Sequence, residues 1–223
     1  MSQKHAPSAH ARRRSTKKRM WVRHPEDWYI EEEWVNDRLF AVEQFVGRVH
    51  DPACGSGRIV RAARRAGLRA TGCDIVLRAP GFRVGSFFEQ TRGVDNIVCN
   101  LPFRFAMAFI GHALNLAERK IAMIVPTAWV GGDGRSRWLE RTPLRRVWQL
   151  SPRPSMPPGP VVMAGKQKIG NGTTDYSWAV WEHGYVGRPE LCFLRRGDTT
   201  LPVITSVPAP GSAAPLLALK EPS

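Results

Sequence analysis

An α/β fold on a mostly parallel sheet is what three observations in this sequence predict. Residues 47–50 lead through an apolar stretch into Asp-Pro-Ala-Cys-Gly-Ser-Gly at 51–57, and residues 59–66 follow with helical patterning. Strand, glycine turn and helix form the opening unit of a doubly wound sheet. Residues 69–75 then read as a second strand ending in Gly72-Cys73-Asp74-Ile75. Residues 120–126 are almost wholly apolar, as a strand covered on both faces should be.

The glycine turn belongs to a nucleotide-type cofactor site. Gly55 and Gly57 let the backbone take unusual dihedrals and let a ligand approach closer than a Cβ permits, and the helix that follows turns its amide end to that ligand. A strict dinucleotide fingerprint has a third glycine where Val60 stands, which argues against nicotinamide or flavin. Asp74, at the tip of the neighbouring strand, can accept both hydroxyls of a ribose. The plainer alternative is a buried turn whose acids only cap helices.

Residues 95–99 form a short apolar strand, and Asn100-Leu101-Pro102-Phe103 follows it at the sheet edge where open α/β folds keep their chemistry. An exocyclic amine on adenine or cytosine is a poor nucleophile because its lone pair is delocalised into the ring. The amide oxygen of Asn100 and the carbonyl of Leu101 can each accept one amine hydrogen and free that lone pair. Pro102 stiffens the turn, and Phe103 offers a face for a base. Alone, the tetrapeptide reads first as an ordinary turn with a core phenylalanine; its place after the glycine turn reverses that in favour of the chemical reading.

With both segments in view, the chain resembles S-adenosylmethionine-dependent amino-methyltransferases, most similar to phage and prophage-type DNA N6-adenine methyltransferases, over roughly residues 25–197. The resemblance implies a Rossmann-like methyltransferase fold whose C-terminal edge is an antiparallel hairpin of residues 144–150 and 176–182. It implies S-adenosylmethionine as cofactor, held by Asp51, Pro52, Ala53, Cys54, Gly55 and Gly57, by Asp74 and Ile75, and by Ser86 and Phe87 near the adenine. It implies Asn100, Leu101, Pro102 and Phe103 as the catalytic motif, and Tyr29 as a contact for the methionine end. After the sixth strand, Arg153 would hold a phosphate and Met156 would line a pocket for a flipped base. Two positions depart from the family pattern. Leu101 replaces a proline but keeps its carbonyl, and Ser86 offers a hydroxyl where an acid is usual.

The net charge of +14 is unevenly placed. Lys4, Arg12, Arg13, Arg14, Lys17, Lys18 and Arg19 precede residue 21 with no acid among them, so residues 1–20 are expected to be a disordered basic tail. Residues 21–197 are expected to form the catalytic domain, and 198–223 a flexible Pro/Ala-rich tail. The arginines at 58–69 and 135–146 suggest a polyanionic partner. Nucleic acid, DNA above all, is the expected one, with Arg135 and Arg137 as contacts; a merely solvated helix face is the alternative for 58–65. A separate recognition domain is expected to be missing.

Cys54, Cys73, Cys99 and Cys192 have no zinc-like spacing and read as reduced thiols, so no metal is expected. No apolar run reaches the ~20 residues of a membrane span, and no secretion signal opens the chain. A cytoplasmic location, in a bacterium or a phage-infected host cell, is the expectation. Residues 28–45 and 104–117 are expected to be helical, and 151–175 a long loop. Three functional readings stay open: an adenine-N6 DNA methyltransferase, an enzyme acting on cytosine N4, an RNA base or a protein glutamine, and an inactive cofactor-binding nucleic-acid module.

Overall fold

The computed structural model describes residues 27–166 and 172–198. The tails expected at 1–20 and beyond residue 198 lie outside the described residues. Eight strands form one sheet among the described residues: β1 Val49–Asp51, β2 Ala70–Asp74, β3 Arg83–Val84, β4 Val94–Cys99, β5 Ala117–Pro126, β6 Leu144–Ser151, β7 Tyr176–Glu182 and β8 Glu190–Arg195. Their order is β3-β2-β1-β4-β5-β7-β6-β8. The first five run parallel, and β7 lies antiparallel between β5 and β6. The expected Rossmann-like architecture with its antiparallel β6–β7 pair is therefore the one observed.

Among the described residues five helices accompany this sheet: α1 Glu33–Val42, α2 Arg58–Arg65, α3 Ala106–Leu116, α4 Asp133–Leu139 and α5 Gly159–Met163. The period of two along β5 explains the core. Ala122 and Ile124 face the layer that holds Val35, Leu39, Val60 and Trp178, whereas Ile121, Met123 and Val125 face the layer that holds Phe109, Ile110 and Ala113. Both layers are buried, so β5 has no use for polar residues beyond its start. Along α2, Ile59, Val60, Ala62 and Ala63 face inward. The four arginines of α2 point away and serve local contacts: Arg58 donates to the carbonyl of Glu31, Arg61 to Ser56, Arg64 to Ala70, and Arg65 to the Asp37 carboxylate.

Three expectations need correction. The helix expected at 28–45 spans only Glu33–Val42, because Trp28 to Ile30 is an extended strap. Its backbone groups are satisfied across the molecule: Ile30 N–H donates to Pro157 at 3.0 Å, and Gly159 N–H donates to Trp28 at 3.0 Å. The loop expected at 151–175 contains α5. A further strand, β8, runs parallel to β6 at the outer edge; the alternating exposure of its apolar residues, with Leu191 and Phe193 outward and Leu194 buried, hid it from the sequence reading. At the sheet edge opposite the strand carboxyl ends, buried Glu43 pairs with Lys120 at 2.8 Å and Arg146 at 2.9 Å and accepts from Trp148 Nε1 at 2.9 Å.

Candidate active site

A cavity of about 420 Å³ opens at the carboxyl ends of β1, β2 and β4. Four carboxylates line it, from Asp27, Glu31, Asp51 and Asp74, against three guanidinium groups, from Arg58, Arg78 and Arg104. Of the sequence-assigned cofactor residues, Asp51, Pro52, Ala53, Cys54, Gly55, Asp74, Ile75, Ser86 and Phe87 stand on its wall, as do Asn100 and Pro102 of the tetrapeptide. Gly57 is set back as the N-cap of α2, at φ 83°, where a Cβ would lie 2.2 Å from the Phe82 ring. Gly55, at φ 51°, lies against Trp28, whose Nε1 would be 2.9 Å from an added Cβ. The positive φ of both positions is the region in which glycine is favoured.

Asp74 sits where the sequence reading put it and also holds the glycine turn. Its Oδ2 accepts from Gly55 N–H at 2.8 Å and its Oδ1 from Val76 N–H at 3.1 Å. Arg78 lies 3.8 Å from that carboxylate and 4.1 Å from the Trp28 ring centre. Asp51 is 1% exposed and accepts from Ala53 N–H. Burial holds its carboxyl well above the usual carboxylate range, and the charges of Glu31 and Asp74 push in the same direction. The thiols of Cys54, Cys73 and Cys99 are all raised by burial, with Asp51 and Asp74 adding to it, so none is a ready thiolate. Among the described residues no group of side chains is arranged to hold a metal ion.

Asn100 carries the most specific geometry. Its Nδ2 donates to the carbonyl of Tyr29 at 3.0 Å and to Glu31 Oε2 at 2.8 Å. Both neighbours are acceptors only, so the NH2 must face them and the amide oxygen is left as the acceptor. Glu31, 4% exposed, is itself fixed through Oε1 by Asn36 Nδ2 at 2.7 Å. Sequence reading missed Glu31. It also missed Asp27, whose Oδ2 accepts from Arg104 N–H at 3.0 Å and so ties the strap to the turn after the tetrapeptide.

The other assigned residues fall elsewhere. Leu101 turns its side chain into the core, at 1% exposure. Phe103 is part of an aromatic cluster, 6.3 Å from a stacked Tyr29 ring and 5.7 Å from Tyr176, whose hydroxyl burial and the neighbouring Tyr29 push up to about 12. Met156, expected to line a base pocket, is 8% exposed and belongs to the core cluster that includes Leu150 and Trp178. Arg135 donates to the Trp129 carbonyl, Arg137 pairs with Asp133 and Arg153 with Asp175, all away from the cavity. Arg145 and Arg146 stand at the start of β6, on the edge opposite the cavity, so the arginines of 135–146 do not form one surface.

No family model and no curated protein sequence matches the chain. Solved structures do match in fold. The M protein of the type I restriction enzyme EcoKI superposes with a TM-score of 0.55 at 14% identity, covering 77% of this chain and 49% of that one. A predicted O-methyltransferase from Agrobacterium tumefaciens gives 0.48 at 14% identity, over 74% of this chain and 85% of that one. A type I restriction-modification methyltransferase subunit from Streptococcus thermophilus gives 0.47 at 12%, over 73% and 45%. The chain spans about half the length of the EcoKI M protein. At this identity the likeness is one of fold, and the fold is the Rossmann-like methyltransferase fold.

Proposed function

We propose that this chain transfers a methyl group from S-adenosylmethionine to the exocyclic amine of a nucleic-acid base, with adenine N6 in DNA as the acceptor. The observation that carries the reading is Asn100, whose amide hydrogens are both committed to Tyr29 and Glu31 and whose oxygen stands ready to accept at the rim of a cofactor-shaped cavity.

The cavity's donor set fits that cofactor. Asp74 offers a carboxylate for ribose hydroxyls, and Ile75 and the rings of Phe87 and Phe88 give an apolar end for adenine. When bound, S-adenosylmethionine supplies a methyl group on a centre that carries its own leaving group. The protein then needs no nucleophile or metal for the transfer, only alignment and electrostatic support. The Asn100 oxygen and the Leu101 carbonyl each take one amine hydrogen, and the negative charge of Glu31 lies next to where positive charge develops on nitrogen. The preference for nucleic acid rests on the net charge of +14, and that for DNA also on the fold shared with a restriction-enzyme M protein.

Incubation with labelled cofactor and DNA, followed by nucleoside analysis, tests the reading. N6-methyladenosine in its deoxy form is the expected product. Asn100→Ala is expected to slow transfer by about a hundredfold or more, the scale for removing one preorganised polar contact, with cofactor affinity unchanged. Cofactor binding without transfer to DNA, RNA or protein would replace this reading with that of an inactive binding module.

A further inference from the structure

A second cavity, about 800 Å³, lies behind the first on the α3 side of the sheet. It exists because residues 85–93 join β3 to β4 with only a 3-10 turn, Phe87–Glu89, in place of a helix. Doubly wound sheets bury both faces under helices, yet here α3 covers β4 and β5 while Thr71 of the interior strand β2 remains exposed. The connecting segment does not collapse into the gap. His112 of α3 pins it through the carbonyls of Phe87 and Gln90, at 3.0 and 3.1 Å.

The lining is polar and positive. Arg48, Arg83 and Arg92 converge on it, with His50 and Thr71 on its floor, and Glu89 is the single acid among its lining residues. The three guanidinium groups make no hydrogen bond or ion pair among the described residues, whereas every arginine of α2 has a local acceptor. His50 is engaged by Thr71 Oγ1 at 3.0 Å. Burial first, and the positive charges of Arg48 and Arg83 after it, hold its imidazole below the ordinary value, as expected beside uncompensated cations.

We propose that this cavity is a binding site for a phosphate group, held by Arg48, Arg83 and Arg92 over the hydroxyl of Thr71. Forked guanidinium groups match the geometry of phosphate oxygens, and three unpaired ones facing a common space are suited to a doubly charged ligand. The phosphate is carried either by a small free phosphate compound or by a nucleic-acid strand. Ser86 lines both cavities, so an occupant here touches the segment that also walls the candidate active site.

The test needs no methyl transfer. The full chain and its Arg48→Ala/Arg83→Ala/Arg92→Ala variant are titrated calorimetrically with inorganic phosphate, with pyrophosphate and with a short single-stranded oligonucleotide. The His50 ring resonances, assigned with a His50→Gln variant, report the location. Saturable binding that moves the His50 signals and weakens at least about tenfold in the triple variant supports the site. Binding of pyrophosphate or phosphate identifies a small ligand; binding of the oligonucleotide alone identifies a strand. The altered side chains are exposed, so the variant is expected to keep its thermal midpoint. Binding of equal strength in the triple variant, binding that leaves His50 unmoved, or no binding of any of the three probes overturns the proposal.

Discussion

Replacing Glu31 by Gln tests how Asn100 is oriented, together with the charge that Glu31 places beside the acceptor nitrogen. Glu31 accepts at both ends, from Asn100 at 2.8 Å and from Asn36 at 2.7 Å. A glutamine of the same shape accepts at one end only, and its NH2 then opposes the NH2 of Asn36 or of Asn100 unless one of those amides turns over. Asn36 is 0% exposed and its Oδ1 has no partner, so turning its amide over to meet the glutamine leaves the Asn36 NH2 buried without an acceptor. Losing one hydrogen bond to a charged group costs about 1.5–3 kcal/mol, and ~1.4 kcal/mol is tenfold in rate. Methyl transfer in Glu31→Gln is therefore expected to slow by roughly 10- to 100-fold. Single-turnover transfer at saturating cofactor measures it, with calorimetric cofactor affinity alongside. The decisive arm is Glu31→Gln combined with Asn100→Ala: if Glu31 acts by positioning Asn100, adding Glu31→Gln to Asn100→Ala slows transfer little further. Additive losses, or a wild-type rate in Glu31→Gln alone, would refute the reasoning.

Three further outcomes follow from the same geometry. Asp74→Ala is expected to weaken S-adenosylmethionine binding at least tenfold in a calorimetric titration, since two bonds to a charged acceptor are worth about 1.5–3 kcal/mol each, and to lower the thermal midpoint because Gly55 and Val76 N–H lose their acceptor. Gly57→Ala places a Cβ 2.2 Å from the Phe82 ring at a φ of 83°, and a midpoint lowered by roughly 4 °C or more is expected from a loss of ~2 kcal/mol; an unchanged midpoint would show that α2 can restart elsewhere. For Glu43, burial alone would raise the carboxyl, yet Lys120, Trp148 and Arg146 together bring it below its ordinary value. Its contribution is thus present above the unfolded carboxylate range and lost as pH falls through the lower folded value. Urea unfolding should find Glu43→Gln weaker by about 3–5 kcal/mol at neutral pH, with a flatter loss on acidification; equal slopes in variant and wild type would count against the pairing.

The parts of the site that the sequence made legible are those whose chemistry is local. Gly55 lies four residues past the end of β1, Asp74 is the last residue of β2 and Asn100 is the first after β4, so a strand boundary places them at the carboxyl edge, and their type then limits what they do there. Glu31 and Asp27 were illegible because their roles depend on partners 69 and 77 residues away, a distance at which no spacing rule applies. Met156 shows the opposite failure. It was assigned to substrate by motif position, yet packing beside Leu150 and Trp178 decides its place. The same holds for Arg145 and Arg146, grouped with Arg135 and Arg137 by sequence but separated from the cavity by the length of β6, where they neutralise Glu43 and Glu182.

Every residue that lines the candidate active site lies between Asp27 and Phe109, yet the second half of the chain shapes it. The strap at Trp28 to Ile30 supplies the Tyr29 carbonyl that orients Asn100, leads directly into Glu31, and lays Trp28 over the glycine turn. That strap is extended only because Pro157 and Gly159 satisfy its backbone, because Gly159 lacks a Cβ that would meet the Trp28 ring at 2.2 Å, and because Glu32 accepts from Ser155 N–H at 3.0 Å. Without these partners its unsatisfied N–H and C=O groups would have to turn to water, and the carbonyl that anchors Asn100 would turn with them. The long segment after β6, which the sequence presents as a proline-rich loop, thus acts on the site by holding the strap. Order at Asn100 and order in that segment are expected to rise and fall together.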